Sequence, residues 1–145
     1  MNIEKAGPKH VTWLDEVIKR EFPYTKFTPE KIISRINDPK FVILVARQEN
    51  IMTGFAEMEL FLAAHEARLN GIYVEDAWRD QGIAKMLIEK LINTCKHKKV
   101  QRLFLLVKEN NEDAKALYKK TGFVFEKIHE KKIEDSTVEV WAQKV

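Results

Sequence analysis

The chain has 145 residues, 45% of them hydrophobic, which is the size of one domain with a buried core. Its 25 basic and 22 acidic residues are interspersed and leave a net charge of only +3, which argues against a nucleic-acid-binding protein that depends on a strong positive field. A single cysteine, Cys95, excludes an internal disulfide framework and favours a reducing, cytoplasmic setting.

The first part of the chain predicts two helices and four strands. Apolar residues at three- and four-residue steps predict helices, and runs of β-branched and aromatic residues predict strands. In the second helix, Thr28 is placed as the N-cap ahead of Pro29. In chain order we predict a strand at 2–6, a helix from Pro8 to about Arg20, a short helix after Thr28, and strands at 40–48, 53–63 and 67–75.

The strand predicted at 53–63 carries two carboxylates on one side. Side chains alternate along a strand, so Phe55, Glu57 and Glu59 share a side with Phe61, while the apolar residues between Ala56 and Leu62 share the other. Carboxylates that point inward are candidates for acid and base chemistry. The alternative is a solvated, charged face.

The rest of the chain predicts a long helix, a buried strand, a short helix and a hairpin. The long helix carries one apolar stripe that runs from Ile83 to Cys95. The strand after it is apolar on both faces, as expected for a strand covered on both sides. In chain order we predict a long helix that begins around Gln81 to Ile83, a strand at 101–109, a short helix that ends at Gly122, and a hairpin of strands at 123–133 and 136–145 joined across "EDS".

The junction between the strand at 67–75 and the long helix has the chemistry of an anion site. The first N–H groups of a helix lack partners within the helix, and the helix dipole adds partial positive charge there. Gly82 has no Cβ to block an approaching oxygen, and Lys85 adds a formal charge. An ordinary helix start is the alternative, because neither the Walker pattern nor G-x-G-x-x-G is present.

A second strand-to-helix junction, "NNEDAKALYKKTGF", follows the strand at 101–109. Taken separately, Asn111 reads as a helix cap and Tyr118 as a packing residue. Together with the first junction, their amide and phenol groups form a constellation of polar residues at two neighbouring helix starts.

These two stretches resemble the motifs of the GNAT superfamily of N-acetyltransferases. The segment "VEDAWRDQGIAKMLIEKLI" is similar to its acetyl-coenzyme A motif, R/Q-x-x-G-x-G/A, and the second junction is similar to its motif N-x-x-A-x-x-L-Y-x-x-x-G-F. The matching residues are Arg79, Gly82 and Ala84 in the first motif, and Asn111, Ala114, Leu117, Tyr118, Gly122 and Phe123 in the second.

The resemblance implies a fold and a reaction. The fold is one α+β domain over residues 1–145, a mixed, mostly antiparallel sheet of six to seven strands with about four flanking helices and splayed central parallel strands. The reaction is transfer of the acetyl group from acetyl-coenzyme A to a primary amine by direct attack in a ternary complex. The acceptor classes are a peptide or protein N-terminus, a lysine or a small-molecule amine, and peptide or protein amines are slightly favoured.

The resemblance also implies roles for individual residues. Tyr118 is the expected general acid toward the leaving thiolate, which suits a phenol with an ordinary pKa near 10. Asn111 is expected to bond the pantetheine arm, and a backbone amide near Val74 to polarise the acetyl carbonyl. The residues expected to bind the cofactor are Ile72, Tyr73, Val74, Arg79, Asp80, Gln81, Gly82, Ile83, Ala84, Lys85, Asn111 and Tyr118.

The general base is where this chain departs from one branch of the superfamily. Acetylases of ribosomal-protein N-termini usually carry "LEV" in the fifth strand, whereas this chain has "LLV" with Leu106 at the central position. The substitute bases are Glu57, Glu59 and Glu75. The missing carboxylate also leaves open a catalytically degenerate coenzyme A-binding sensor or scaffold.

Other features predict little further chemistry. The four histidines are scattered without ligand spacing, so no metal site is expected. No stretch approaches the roughly 20 apolar residues of a membrane span, and no leader peptide is predicted. We expect no nucleic-acid or membrane partner, and either a monomer or a homodimer that uses the final strand. The aromatic loop at 21–27 is the segment expected to recognise the acceptor.

Overall fold

The computed structural model describes residues 1–145, which form one seven-stranded sheet and four α-helices. The strands are β1 (Asn2–Lys5), β2 (Phe41–Gln48), β3 (Ile51–Phe61), β4 (Glu66–Val74), β5 (Arg102–Lys108), β6 (Val124–Ile128) and β7 (Val138–Lys144). The helices are α1 (Val11–Glu21), α2 (Pro29–Ile36), α3 (Ile83–His97) and α4 (Glu112–Lys120). The strand order is β1-β2-β3-β4-β5-β7-β6, and only β4 and β5 pair in parallel. The predicted α+β class with a mixed, mostly antiparallel sheet is confirmed.

Helices cover both faces of the sheet. The apolar stripe of α3 packs with Ala56 and Met58 of β3 on one face, where α4 also contributes partly buried residues. On the other face α1 and α2 pack against Val45 of β2 and Phe55 of β3. The predicted alternation along β3 and the predicted stripe of α3 are therefore confirmed, as is the Thr28 cap, whose side chain accepts from the Lys31 N–H.

Several element ends differ from the sequence prediction. The first helix is a 3-10 turn at Pro8–His10 followed by α1. β3 ends at Phe61 because the next residues form a 3-10 turn that closes on His65 in the left-handed region (φ 56°), which leaves Leu62 exposed. β6 ends at Ile128 because its partner β7 begins at Val138, whose carbonyl accepts from the His129 N–H.

The prediction that β5 is covered on both faces is wrong in part. Leu103, Leu105 and Val107 are buried, whereas Phe104 and Leu106 on the opposite face are only half-buried. The reason is that Leu106 borders a cavity instead of a helix, and Phe104 is covered by the stacked ring of Phe61, with centroids 6.4 Å apart.

The parallel pair at the centre of the sheet separates partway along its length. β4 and β5 pair from Glu66 with Arg102 to Leu69 with Leu105, and the pairing stops there. Beyond that point β4 remains on β3 as far as Val74, and β5 remains on β7. The predicted splay is thus present, and it leaves an open strand edge on β4.

A β-bulge lies on β4 where the strands begin to separate. Glu57 of β3 pairs with Gly71, but Met58 pairs with Leu69, so Asn70 is the extra residue. The bulge turns the Asn70 side chain toward the two carboxylates of β3, and its Nδ2 donates to Glu57 at 3.0 Å and to Glu59 at 3.3 Å.

The only cysteine of the chain is expected to be unreactive in the folded protein. Cys95 is fully buried on α3, and burial raises the pKa of its thiol to about 11. Its thiolate fraction near pH 8 is therefore about 100-fold below that of an ordinary thiol. A disulfide reagent that reports thiols by absorbance should give no reaction with the native protein over minutes and one equivalent in urea. Rapid reaction of the native protein would show instead that α3 opens readily.

Candidate active site

The turn before α3 presents a row of unpaired backbone donors. None of the N–H groups from Asp80 to Lys85 donates to an acceptor within the protein. Asp80 and Gly82 both have left-handed backbones, with φ of 61° and 80°, and successive N–H groups in such alternating conformations form an anion-binding concavity. A Cβ on Gly82 would meet no atom within 4 Å, so glycine is favoured here by its backbone conformation and not by crowding.

The two basic side chains at this turn are placed differently. Arg79 Nε donates to the Val74 carbonyl at 3.0 Å, and Arg79 Nη2 pairs with Asp76 at 3.0 Å, so Arg79 ties the turn to the end of β4. Lys85 is exposed, and its Nζ lies 4.0 Å from Glu89 Oε1, one helical turn further along α3.

The open edge of β4 begins beside this turn. The Glu75 N–H donates to the Thr53 carbonyl of β3 at 2.8 Å, so the backbone of Glu75 faces β3. In an antiparallel pair, alternate residues direct their backbone N–H and C=O groups at the partner strand. The backbone groups of Tyr73 therefore face β3, whereas those of Ile72 and Val74 face the side from which β5 has separated. The sequence prediction did not distinguish among these three residues.

The start of α4 supplies an amide and a phenol. The Asn111 side chain caps the helix, because its Oδ1 accepts from the Ala114 N–H at 3.2 Å, and its Nδ2 has no partner in the protein. The Tyr118 ring packs edge-on against Phe123 with centroids 5.8 Å apart, and its hydroxyl makes no hydrogen bond within the protein. Burial, with a smaller contribution from Tyr24, raises the pKa of Tyr118 to about 12, so this group holds its proton at neutral pH.

A cavity of about 400 Å³ lies between α1, α2 and the strands β3 to β5. Most of its lining side chains are apolar, and Leu106 of β5 is one of them. The loop at 21–27, predicted to recognise the acceptor, supplies three aromatic residues to its wall: Phe22, Tyr24 and Phe27.

The two carboxylates of β3 share a face but have different surroundings. Each is only 8% exposed, which rules out the alternative of a solvated face. Glu57 lines the cavity, and its Oε2 accepts from Arg35 at 2.6 Å. Glu59 lies outside the cavity lining and pairs with Lys40 at 3.1 Å and Arg68 at 2.9 Å.

These surroundings leave one carboxylate available to the cavity. Burial by itself would raise the pKa of Glu59, but hydrogen bonds from Lys40 and Asn70 and the charge of Arg68 bring it below its usual value, so Glu59 is a weak base. Glu75, the third candidate, is held by Arg20 at 2.6 Å and does not line the cavity.

Sequence reasoning missed Arg35 and Gly71. The Arg35 guanidinium lies between the rings of Phe27 and Phe41, 4.3 and 4.5 Å from their centroids, and pairs with Glu57. No local signal marks these residues, because their roles depend on how α2 docks on the sheet and on the register between β3 and β4.

Comparison with known proteins agrees with this geometry. The model of the Acetyltransferase (GNAT) family matches residues 10–123. The chain therefore belongs to the GNAT family. It is an N-acetyltransferase, the activity for which its relatives are named.

Two relatives illustrate the range of this similarity. The 5-NmdU N-acetyltransferase of Pseudomonas phage PaMx11 is 32% identical over 123 residues, which cover 83% of this chain and 85% of that protein. The putative ribosomal protein bS18-alanine N-acetyltransferase of Bacillus subtilis is 26% identical over 87 residues, which cover 60% of this chain. The matched region spans only 56% of the Bacillus protein.

Solved structures agree in fold. The PaiA N-acetyltransferase of Thermoplasma acidophilum in complex with coenzyme A superposes with a TM-score of 0.83 over 100% of both chains at 20% identity. The ribosomal-protein-S18-alanine N-acetyltransferase of Escherichia coli gives 0.81 over 99% of this chain and 93% of its own at 23% identity.

Two further features concern the helices and the possible metal ligands of the structure. None of its helices is both long and apolar enough to cross a membrane. No cluster of three or more histidine, cysteine, aspartate or glutamate side chains is arranged to hold a metal ion.

Proposed function

We propose that this enzyme transfers the acetyl group of acetyl-coenzyme A to a primary amine by direct attack in a ternary complex. The observation that carries the proposal is the row of unpaired N–H groups from Asp80 to Lys85 beside the open edge of β4. A diphosphate needs several donors in one concavity, and an extended amide chain needs a free strand edge. Both needs are met within a few residues of each other.

The fit of coenzyme A can be stated residue by residue. The turn amides from Asp80 to Lys85, with the Lys85 ammonium, would hold the pyrophosphate. The Val74 N–H and the Ile72 carbonyl would hydrogen-bond the pantetheine arm along the open edge, and the free Nδ2 of Asn111 would bond it from the other side. When bound, acetyl-coenzyme A supplies an acetyl group on a thiol leaving group.

The residues around the gap have complementary chemical roles. The Ile72 N–H, two residues before Val74 on the same open edge, would donate to the acetyl oxygen and stabilise the charge that develops on it. Tyr118 would give its proton to the departing sulfur, since its hydroxyl has no competing partner in the protein. The attacking amine must lose a proton, and Glu57 is the carboxylate we assign to this step because it alone of the three candidates lines the cavity.

The relatives favour a catalyst over a coenzyme A sensor or scaffold, because they are named as N-acetyltransferases. Their names also include a ribosomal-protein alanine as acceptor. For this chain the proposed acceptor is a primary amine.

Two measurements on the purified protein test the proposed function. Acetyl-coenzyme A should raise the melting temperature, because a ligand that binds only the folded state stabilises it. Thiol release from acetyl-coenzyme A should then depend on an added amine. The absence of a thermal shift at millimolar cofactor would refute the proposal, and a shift without thiol release against a broad amine panel would favour the sensor.

A further inference from the structure

We propose that the acceptor is a primary amine on a compact apolar, preferably aromatic, body that carries no second cation. In this proposal Glu57 binds the ammonium group, and Gly71 is the opening through which the amine reaches the gap between β4 and β5. The inference rests on the proposed acetyl transfer and names the acceptor class for that reaction.

The shape and lining of the cavity favour a compact apolar body. Its volume of about 400 Å³ is at the small end of the range for small-molecule sites. Aromatic rings form part of its wall: the Phe22 ring meets Phe55 edge-on at 6.0 Å and Tyr24 at 6.5 Å, and Phe27 lines the same cavity. These rings bury an aromatic or branched group well, but the rings of Phe22, Phe27 and Phe55 offer no hydrogen-bond partner to a chain of hydroxyls or amines.

Among the charged groups that line the cavity, one carboxylate oxygen has no donor and is free to accept from a cation. Arg35 is neutralised by Glu57, and Arg68 by Glu59. Only 8% of the Glu57 surface is exposed. Both hydrogen bonds to its carboxylate, from Arg35 and Asn70, are accepted by Oε2. Its Oε1 therefore has no donor in the protein, and an ammonium group would supply one. A second cation on the acceptor would find no free carboxylate among the lining residues and would face two guanidinium groups.

Gly71 connects this carboxylate to the open edge of β4. It pairs directly with Glu57 across the two strands, lines the cavity, and immediately precedes Ile72, whose polar groups face the gap. A Cβ at Gly71 would meet no atom within 4 Å, so the position is empty space next to the proposed ammonium site. Its backbone does not lie in the left-handed region, so a larger residue fits there without backbone strain.

The acceptor class is tested by thiol release with 2-phenylethylamine, spermidine and a short peptide with an N-terminal alanine. We expect kcat/KM for 2-phenylethylamine to exceed that for spermidine by about tenfold or more, because the second and third cations of spermidine must be desolvated without partners. Preference for spermidine or for the peptide would overturn the proposal. If spermidine or the peptide is the preferred acceptor, the acceptor class proposed here is wrong but the proposed acetyl transfer stands. If acetyl-coenzyme A gives no thermal shift, both the acetyl transfer and the acceptor class are refuted.

Substitutions at the two assigned residues test them independently. Glu57→Gln should lower kcat/KM for 2-phenylethylamine about tenfold or more without changing the thermal shift produced by acetyl-coenzyme A. Gly71→Ala and Gly71→Val should lower the same parameter progressively, by a few-fold and then about tenfold, as the opening fills. Gly7→Ala, at another glycine whose Cβ would meet no atom, is the matched control and should behave like wild type. A Gly71→Val enzyme with unchanged acceptor kinetics would refute the opening.

Discussion

Replacing Tyr118 with phenylalanine is expected to lower kcat about 100-fold or more and to leave the affinity for acetyl-coenzyme A unchanged. The hydroxyl makes no hydrogen bond within the protein, and the ring packs against Phe123, so the variant keeps the packing and loses only the proton donor. Because the pKa of Tyr118 is about 12, the wild-type group is protonated throughout the neutral range, and the loss should be similar from about pH 6 to 9. Steady-state thiol release and thermal shift measure the two quantities separately.

Tyr24→Phe is the control for this experiment. Tyr24 lines the cavity, with the Lys108 ammonium 6.0 Å from its ring centroid, and we assign it no proton transfer. Its replacement should change kcat by less than about threefold, since only a contact with the acceptor is altered. A Tyr118→Phe enzyme that retains the wild-type kcat would mean that water, and not this phenol, protonates the leaving thiolate.

Gly82→Pro is expected to abolish coenzyme A binding, with at least about a 100-fold loss of affinity. Proline removes one of the unpaired N–H groups and holds φ near −65°, whereas the turn has φ of 80° at this position. The neighbouring amides are consequently redirected, so several donors to the pyrophosphate are lost together. Titration with acetyl-coenzyme A, followed by thermal shift or calorimetry, gives the loss directly.

Gly82→Ala distinguishes the contribution of the Gly82 N–H group from that of the left-handed backbone conformation. Alanine keeps the N–H, and its Cβ enters open space, so only the strain of a left-handed backbone is added. Affinity should fall about tenfold at most. Circular dichroism and the melting temperature without ligand establish that both variants are folded. If the proline variant retains the wild-type thermal shift, the turn is not the pyrophosphate site.

Local chemistry explains why much of this protein was predictable. The stripe from Ile83 to Cys95 has helical spacing whatever it packs against, and Thr28 before Pro29 is a helix start in any context. The turn at Gly82 was predicted for the same reason, since unpaired amides at a helix start are a property of the helix itself. The end of β6 was missed because strand length depends on a partner and on burial, and neither is a local property.

The choice between Glu57 and Glu59 as the general base could not be made from the sequence. Alternation placed Glu57 and Glu59 on one side of β3, which the structure confirms, but it did not separate them. The bulge at Asn70 and the docking of Arg35 direct both donors to Oε2 of Glu57, which lines the cavity with its Oε1 unbonded, while Lys40 and Arg68 occupy Glu59. Each of these contacts joins residues that lie on different elements.

The sequence by itself determined the order of the elements, the helix caps, the amide-rich turn before α3 and the two motifs that identify the family. The tertiary structure alone decided where β4 and β5 separate, which residues of β4 face the gap, and which carboxylate and glycine border the cavity. The physical reason is the range of the interactions. Caps, turns and periodicity arise between residues a few positions apart, whereas strand register and helix docking are set by contacts between distant parts of the chain.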